Sequence, residues 1–222
     1  MKKSTLFITI CILTISDLFA QIDWVPYPGN PIIDENFDTS ALGISAPNVL
    51  FDGTTYHMWY TRELVEDELE KIGYATSPDG INWALIDSLA LEPSSDPTRF
   101  DSESVNWCWV IKEGDILKMW YRGWGQDIGG IGYAWSVDGH NWTKVDGSGE
   151  GRCVYDETMD GPNTMALGAP CVVNDSGTYH IWYFKANYEA PNIVYNIGYA
   201  TSPNGLNWTN VPGPGTNGAV LI

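Results

Sequence analysis

Short apolar runs separated by turn residues recur along this chain in three copies of one pattern. In the first copy they fall at about Asn48–Phe51, Thr55–Thr61, Lys71–Thr76 and Asn82–Ile86, and they are rich in Val, Ile, Tyr, Trp and Thr. That composition at that length predicts β-strands. Asp52-Gly53 separates the first two runs, and Pro78-Asp79-Gly80 the last two; Asp-Gly supplies the positive φ of a tight hairpin. No sustained helical period follows residue 20.

The copies are in register over their most distinctive segments. Tyr56-His57-Met58-Trp59-Tyr60 returns as Met119-Trp120-Tyr121 and as Tyr179-His180-Ile181-Trp182-Tyr183. Ile72-Gly73-Tyr74-Ala75-Thr76-Ser77-Pro78-Asp79-Gly80-Ile81-Asn82-Trp83 returns at 131–142 and at 197–208. Trp59, Trp120 and Trp182 are 61 and 62 residues apart. Four antiparallel strands in about sixty residues, repeated head to tail, predict an all-β chain of β-propeller blades. A β-sandwich is the runner-up, but it does not require the same Trp in every unit. Trp24 falls one period before Trp83 and reads as a lone last strand that closes a ring, while the chain stops at Ile222 where a fourth copy is due. The expectation is three blades and a closing strand in a truncated chain, with about two blades missing.

Residues 1–20 have the pattern of a bacterial secretory signal: Lys2 and Lys3, an apolar Leu6 to Ile15, then Leu18-Phe19-Ala20. The propeller domain is therefore expected over 21–222, secreted, periplasmic or at the cell surface, with no membrane span. Losing Lys2, Lys3 and Asp17 moves the formal charge from −17 to −18. So acidic a surface repels phosphate backbones and argues against nucleic acid, leaving neutral partners such as sugars open. Cys108, Cys153 and Cys171 remain after Cys11 leaves with the signal. They permit one disulfide and one free thiol, match no zinc spacing, and read by default as buried thiols. No cofactor or metal is implied.

With Trp-Tyr, Ile-Gly-Tyr-Ala-x-Ser and Ser-x-Asp-Gly-x-x-Trp in place, residues 21–222 resemble the five-bladed propellers of the arabinanase, levansucrase and invertase superfamily, glycoside hydrolase families 43 and 32. The Ser-x-Asp-Gly-x-x-Trp turn also looks like the sialidase Asp-box, one residue shorter. The first resemblance implies a glycan substrate and acid/base hydrolysis by two carboxyl groups on innermost strands around a central funnel. Twelve residues before each recurring Trp-Tyr stand Pro47, Cys108 and Pro170, preceded by Ala46, Trp107 and Ala169. None is a carboxylate. The leading expectation is an exported glycoside hydrolase-like propeller that acts on or binds polysaccharide, by acid/base hydrolysis if active; Ala46 and Ala169 favour the alternative, a propeller that binds glycan or protein without catalysis.

Repetition then sorts the remaining residues. Asp38, Asp101 and Asp160 precede the inner strand in every copy and are assigned to the fold, as turn caps. His57 and His180, with Lys118 between them in register, are assigned to the fold for the same reason. Glu103 has Leu42 and Met165 as counterparts and is the candidate general acid, if it projects into the funnel and burial raises its pKa. Asn106, Trp107, Arg122 and Trp124 are the candidate substrate-binding residues. The two Trp read either as platforms for sugar faces or as packing between blades; Trp109 and Trp135 read as packing. Arg62 and Arg122 follow the Trp-Tyr strand and are expected in surface ion pairs.

Overall fold

The computed structural model describes residues 25–34, 36–64, 69–160, 164–189 and 191–215. The chain divides into two units, residues 1–30 and 31–222. In the first, a turn is closed by the Asn30 amide on the Tyr27 carbonyl at 3.1 Å. The signal sequence and Trp24 lie outside the described residues.

The second unit contains three sheets, each built from strands consecutive in the chain and paired antiparallel in chain order. Blade one is β1 (Gly43–Phe51), β2 (Tyr56–Glu63), β3 (Glu70–Ser77) and β4 (Ala84–Leu91). Blade two is β5 (Ser104–Glu113), β6 (Ile116–Gly125), β7 (Ile128–Ser136) and β8 (Thr143–Val145), with β9 (Tyr155–Asp156) added beside β7. After the single turn α1 (Glu157–Asp160) comes blade three: β10 (Thr164–Asp175), β11 (Thr178–Glu189), β12 (Asn192–Ser202) and β13 (Thr209–Asn210). Successive four-stranded meanders are the propeller arrangement and not the two facing sheets of a sandwich.

Two expected boundaries move. Each inner strand begins several residues early because a bulge interrupts it and pairing resumes beyond: the register shifts between Ser45 and Asn48, between Asn106 and Trp109, and between Gly168 and Cys171. The Pro in two copies hides this continuation from the sequence. The fourth strand starts late, at Ala84, because Asn82 and Trp83 belong to the turn.

That turn is also the joint between blades. The amides of Ile81 and Asn82 donate to Asp79 Oδ1 at 2.9 and 2.7 Å, and the Gly80 amide donates to Ser77 Oγ at 2.9 Å. The same bonds recur at Asp138 and Asn204. Gly139 adopts φ 86°, which exposes its carbonyl to two indoles: Trp142 of its own turn at 2.9 Å and Trp59 of blade one at 2.7 Å. Trp120 of blade two makes the equivalent reach to Gly205 of blade three at 2.8 Å. A Trp at fixed spacing thus joins the blades: blades one and two each hang an indole on the turn of the blade that follows.

The recurring Asp proves more than a cap. Asp38, Asp101 and Asp160 are buried, and each accepts the hydroxyl of the Trp-Tyr tyrosine: Tyr60 at 3.1 Å, Tyr121 at 2.8 Å, and Tyr183. Each also meets a cation: Arg62 Nε at 2.9 Å, Lys144 Nζ at 2.7 Å with Arg99 Nε at 3.1 Å, and Lys185 Nζ at 2.7 Å. Arg62 is therefore in a buried pair, correcting the surface ion pair expected for it. The recurring Gly of Ile-Gly-Tyr makes room for this: a Cβ on Gly73, Gly132 or Gly198 would run into the ring of Tyr60, Tyr121 or Tyr183.

The histidines are structural as well. His57 and His180 meet the hydroxyls of Tyr74 and Tyr199, each at 2.6 Å. Among the described residues no three metal-ligating side chains come together, and Cys108, Cys153 and Cys171 are all free thiols. Burial pushes Cys108 up to about 12. Trp109 packs between blades, its indole donating to the Val172 carbonyl at 2.8 Å. Trp135 does not pack as expected: it is 38 % exposed.

Candidate functional site

The three bulges meet around one pocket of about 430 Å³, lined by Ala46-Pro47, Trp107-Cys108, Ala169-Pro170 and Phe184 among others. Ala46, Trp107 and Ala169 adopt φ of 46°, 47° and 45°. A non-glycine residue held in the left-handed region costs on the order of 1 kcal/mol or more, and here the same strain recurs at one place in every blade. The register derived from the Trp spacing is correct, and the positions where carboxylates were sought do line the pocket. They hold Ala, Trp and Ala.

The polar groups gather beside this pocket, at the mouth of blade two. On β5 and β6, Asn106 lies opposite Arg122 and Ser104 opposite Trp124, so alternate residues bring all four to one face. Trp107, turned by its bulge, sets its ring against the Arg122 guanidinium, with Cζ 5.2 Å from the ring centroid. Trp124 stands 5.7 Å from the same carbon. Trp107 is fixed from two sides, its amide donating to Thr61 Oγ1 at 2.9 Å and its ring meeting the edge of Phe184 at 6.4 Å. Arg122 lies against Gly168 of blade three, where a Cβ would collide with its Cδ.

Two further carboxylates approach this cluster. Glu70, from the start of β3, accepts hydrogen bonds from Asn106 Nδ2 and, at 3.4 Å, from Ser104 Oγ. Glu157, the first residue of α1, lies near Gly129 and Trp124: a Cβ on Gly129 would stand 3.3 Å from Glu157 Oε1 and 2.9 Å from the Trp124 ring. Among the described residues Glu157 Oε1 is buried with no hydrogen-bond partner. Burial, reinforced by the charges of Asp156 and Glu150 and only partly offset by Arg122, pushes Glu157 up to about 7. Arg122 is moved the other way, its pKa lowered by burial against the opposing pull of Glu70 and Glu157.

The candidate residues thus divide. Asn106, Trp107, Arg122 and Trp124 come together, and Arg122 has no ion pair or hydrogen bond among the described residues, contrary to the surface pair expected of it. Glu103 is exposed, with Oε1 accepting from the Gln126 amide at 3.3 Å across the β6–β7 turn. The burial sought in a proton donor is absent there. Glu70, Glu157 and Gly168 were not foreseen. Glu70 was legible as a departure from the repeat, since Gly129 and Tyr195 stand at its counterparts. Glu157 was masked by repetition, because Asp156-Glu157-Thr158-Met159-Asp160 echoes Asp34-Glu35-Asn36-Phe37-Asp38.

Glu157 gives a measurable pH signature. The folded state holds its proton up to about pH 7, whereas the unfolded chain releases it near 4.5. Between these values the folded state binds more protons, so stability falls as pH rises and the loss is complete above pH 7. Glu157→Gln is expected to remove this slope and to raise stability at pH 8 by about 1–2 kcal/mol, the half-buried position screening a larger nominal effect. At pH 4 no gain is expected. Urea unfolding at the two pH values measures the difference.

No family model matches the chain. It is 31% identical over 179 residues to two uncharacterized proteins of Mycobacterium tuberculosis, MT1551 of strain CDC 1551 / Oshkosh and Rv1502 of strain ATCC 25618 / H37Rv. Each match covers 75% of this chain and 54% of the relative, so the chain spans about half the length of the curated relatives it matches. Among solved structures it is similar to Zg3597, a family 117 glycoside hydrolase of Zobellia galactanivorans, with TM-score 0.63 and 18% identity over 82% of this chain and 59% of that one. A second likeness is to a member of the GH130 family of mannoside phosphorylases, which contains glycoside hydrolases that target β-1,2 mannosidic linkages in Candida mannan. Its TM-score is 0.59 at 17% identity over 87% of this chain and 58% of that one. A glycosyl hydrolase of Bacteroides ovatus aligns with TM-score 0.56 and 15% identity, over 79% and 50%. At these identities the likeness establishes the fold: the three blades are those of the five-bladed propeller on which these glycoside hydrolases are built.

Proposed function

We propose that this chain is part of an exported propeller of glycoside hydrolase type that holds an oligo- or polysaccharide at the mouth of blade two. The observation that carries the reading is the pair of indoles, Trp107 and Trp124, standing over one guanidinium beside a pocket of about 430 Å³. Aromatic faces stack on the apolar faces of sugar rings, while Arg122 and Asn106 offer donors to hydroxyls. The Trp-Tyr and Ser-x-Asp-Gly-x-x-Trp segments favour the arabinanase, levansucrase and invertase branch of such propellers. Export is supported by the apolar N-terminal pattern behind Lys2 and Lys3.

In this reading hydrolysis draws its proton from Glu157, whose pKa near 7 keeps a substantial protonated fraction at neutral pH, and not from the exposed Glu103. Binding without turnover is favoured by one specific observation, the Ala at positions 46 and 169 where the funnel should carry carboxylates. Calorimetric titration with a panel of oligosaccharides, run beside a reducing-sugar assay, separates the two. Trp124→Ala is expected to weaken binding about tenfold. If turnover occurs, Glu157→Gln is expected to abolish most of it and Glu103→Gln to spare it. An unaltered affinity in Trp124→Ala removes the blade-two mouth as the sugar site.

A further inference from the structure

Arg122 is anomalous for this protein. Of the 222 residues 28 are Asp or Glu and only 11 are Lys or Arg, and the buried cations are taken up by carboxylates: Arg62 by Asp38, Arg99 by Asp101, Lys185 by Asp160. Arg122 is largely withdrawn from water, yet among the described residues it makes no hydrogen bond or ion pair. Glu70, one of the two carboxylates close enough to influence it, is engaged by Asn106 and Ser104. The other, Glu157, is pushed toward its neutral form. A desolvated guanidinium with its N–H fork unused is costly to maintain, and that cost is recovered when an anion with two coplanar oxygens arrives.

We infer that the blade-two mouth recognises an acidic sugar, a uronic acid residue whose carboxylate pairs with the Arg122 guanidinium while its ring lies against Trp107 or Trp124. The inference rests on the glycan-binding reading and names its substrate class. The two indole centroids lie 5.2 and 5.7 Å from the guanidinium carbon, and its N–H fork, unused among the described residues, matches a carboxylate through two parallel hydrogen bonds. Gly168 is part of the device, since any side chain there would displace Arg122. A neutral sugar offers hydroxyls to the same donors without compensating the charge, so the site discriminates by the carboxylate.

The test is a calorimetric comparison on the full chain. One arm titrates oligogalacturonate and oligoglucuronate; the other titrates the same oligosaccharides after chemical reduction of their carboxyl groups to hydroxymethyl. The acidic form of at least one is expected to bind about 10- to 100-fold more tightly than its reduced counterpart. Arg122→Gln is expected to bring the acidic ligand down to the reduced ligand's affinity while leaving the latter within a few-fold. Equal or tighter binding of the reduced form overturns the inference and leaves the glycan reading standing. Failure of these ligands and of every neutral oligosaccharide to bind overturns both. If Arg122→Gln does not fold, the wild-type comparison of acidic and reduced ligands decides alone.

Discussion

Replacing Asp101 with asparagine is expected to destabilise the protein by about 3–5 kcal/mol, the cost of removing one partner from a buried ion pair. Asp101 is fully buried and accepts from Tyr121 at 2.8 Å, Arg99 at 3.1 Å and Lys144 at 2.7 Å. Burial alone would raise its pKa, but the charge and hydrogen bond of Lys144, the Tyr121 hydroxyl and Arg99 override it and hold the carboxyl below the usual range. The amide preserves the volume and can still accept from Tyr121, but it removes the buried charge on which Arg99 and Lys144 converge, leaving Lys144 its bond to the Glu92 carbonyl at 2.7 Å. Because the folded pKa is depressed, this stabilisation is present above the unfolded carboxylate pKa and is lost as pH falls through the folded value. Wild type is therefore expected to lose stability steeply at acid pH, and Asp101→Asn less steeply. Urea midpoints between pH 7 and pH 3 measure both effects.

The second large effect is expected at Trp120. It is fully buried between blades two and three, packs against Tyr133, Tyr179 and Trp208, and donates to the Gly205 carbonyl at 2.8 Å. Trp120→Ala should cost about 3–5 kcal/mol through the cavity and the lost bond. The repeat supplies an internal control: Trp182 is the same residue of blade three but is 38 % exposed, with no hydrogen bond among the described residues. Trp182→Ala should therefore cost only about 1 kcal/mol, in proportion to the smaller area it buries. Equal losses at the two positions, read by denaturant unfolding of this chain, would show that the interblade joint is not what makes Trp120 important. Trp120→Phe, which keeps most of the ring but not the donor, should fall between them.

Much of this architecture was legible because the chain repeats itself. Trp59 and Trp120 recur because each must reach a carbonyl on the next blade, and Asp79, Asp138 and Asn204 recur because each turn must satisfy the same amides. The same comparison aligned Ala46, Trp107 and Ala169, and all three line one pocket. It failed where repetition hid a candidate, as with Glu157, which sits in a sequence motif shared with blade one and lies against Gly129 and Trp124. It also failed for the two arginines, which are one residue out of register: Arg62 corresponds to Lys185, and both are buried on the recurring Asp, whereas Arg122 corresponds to Thr61 and Phe184, faces two indoles and has no ion pair among the described residues.

The sequence by itself determined the four-stranded unit, its order, the turns and the residues that pin one blade to the next, because these depend on local periodicity and on spacing that every copy restates. Only the tertiary structure decided which side chains share a site. Glu70 reaches Asn106 across 36 residues, Trp107 meets Phe184 across a blade boundary, and Gly168 makes space for Arg122 from another sheet. Those meetings follow from how successive sheets pack against one another. Burial, and with it the raised proton affinity of Glu157 and the lowered pKa of Arg122, exists only in the folded chain.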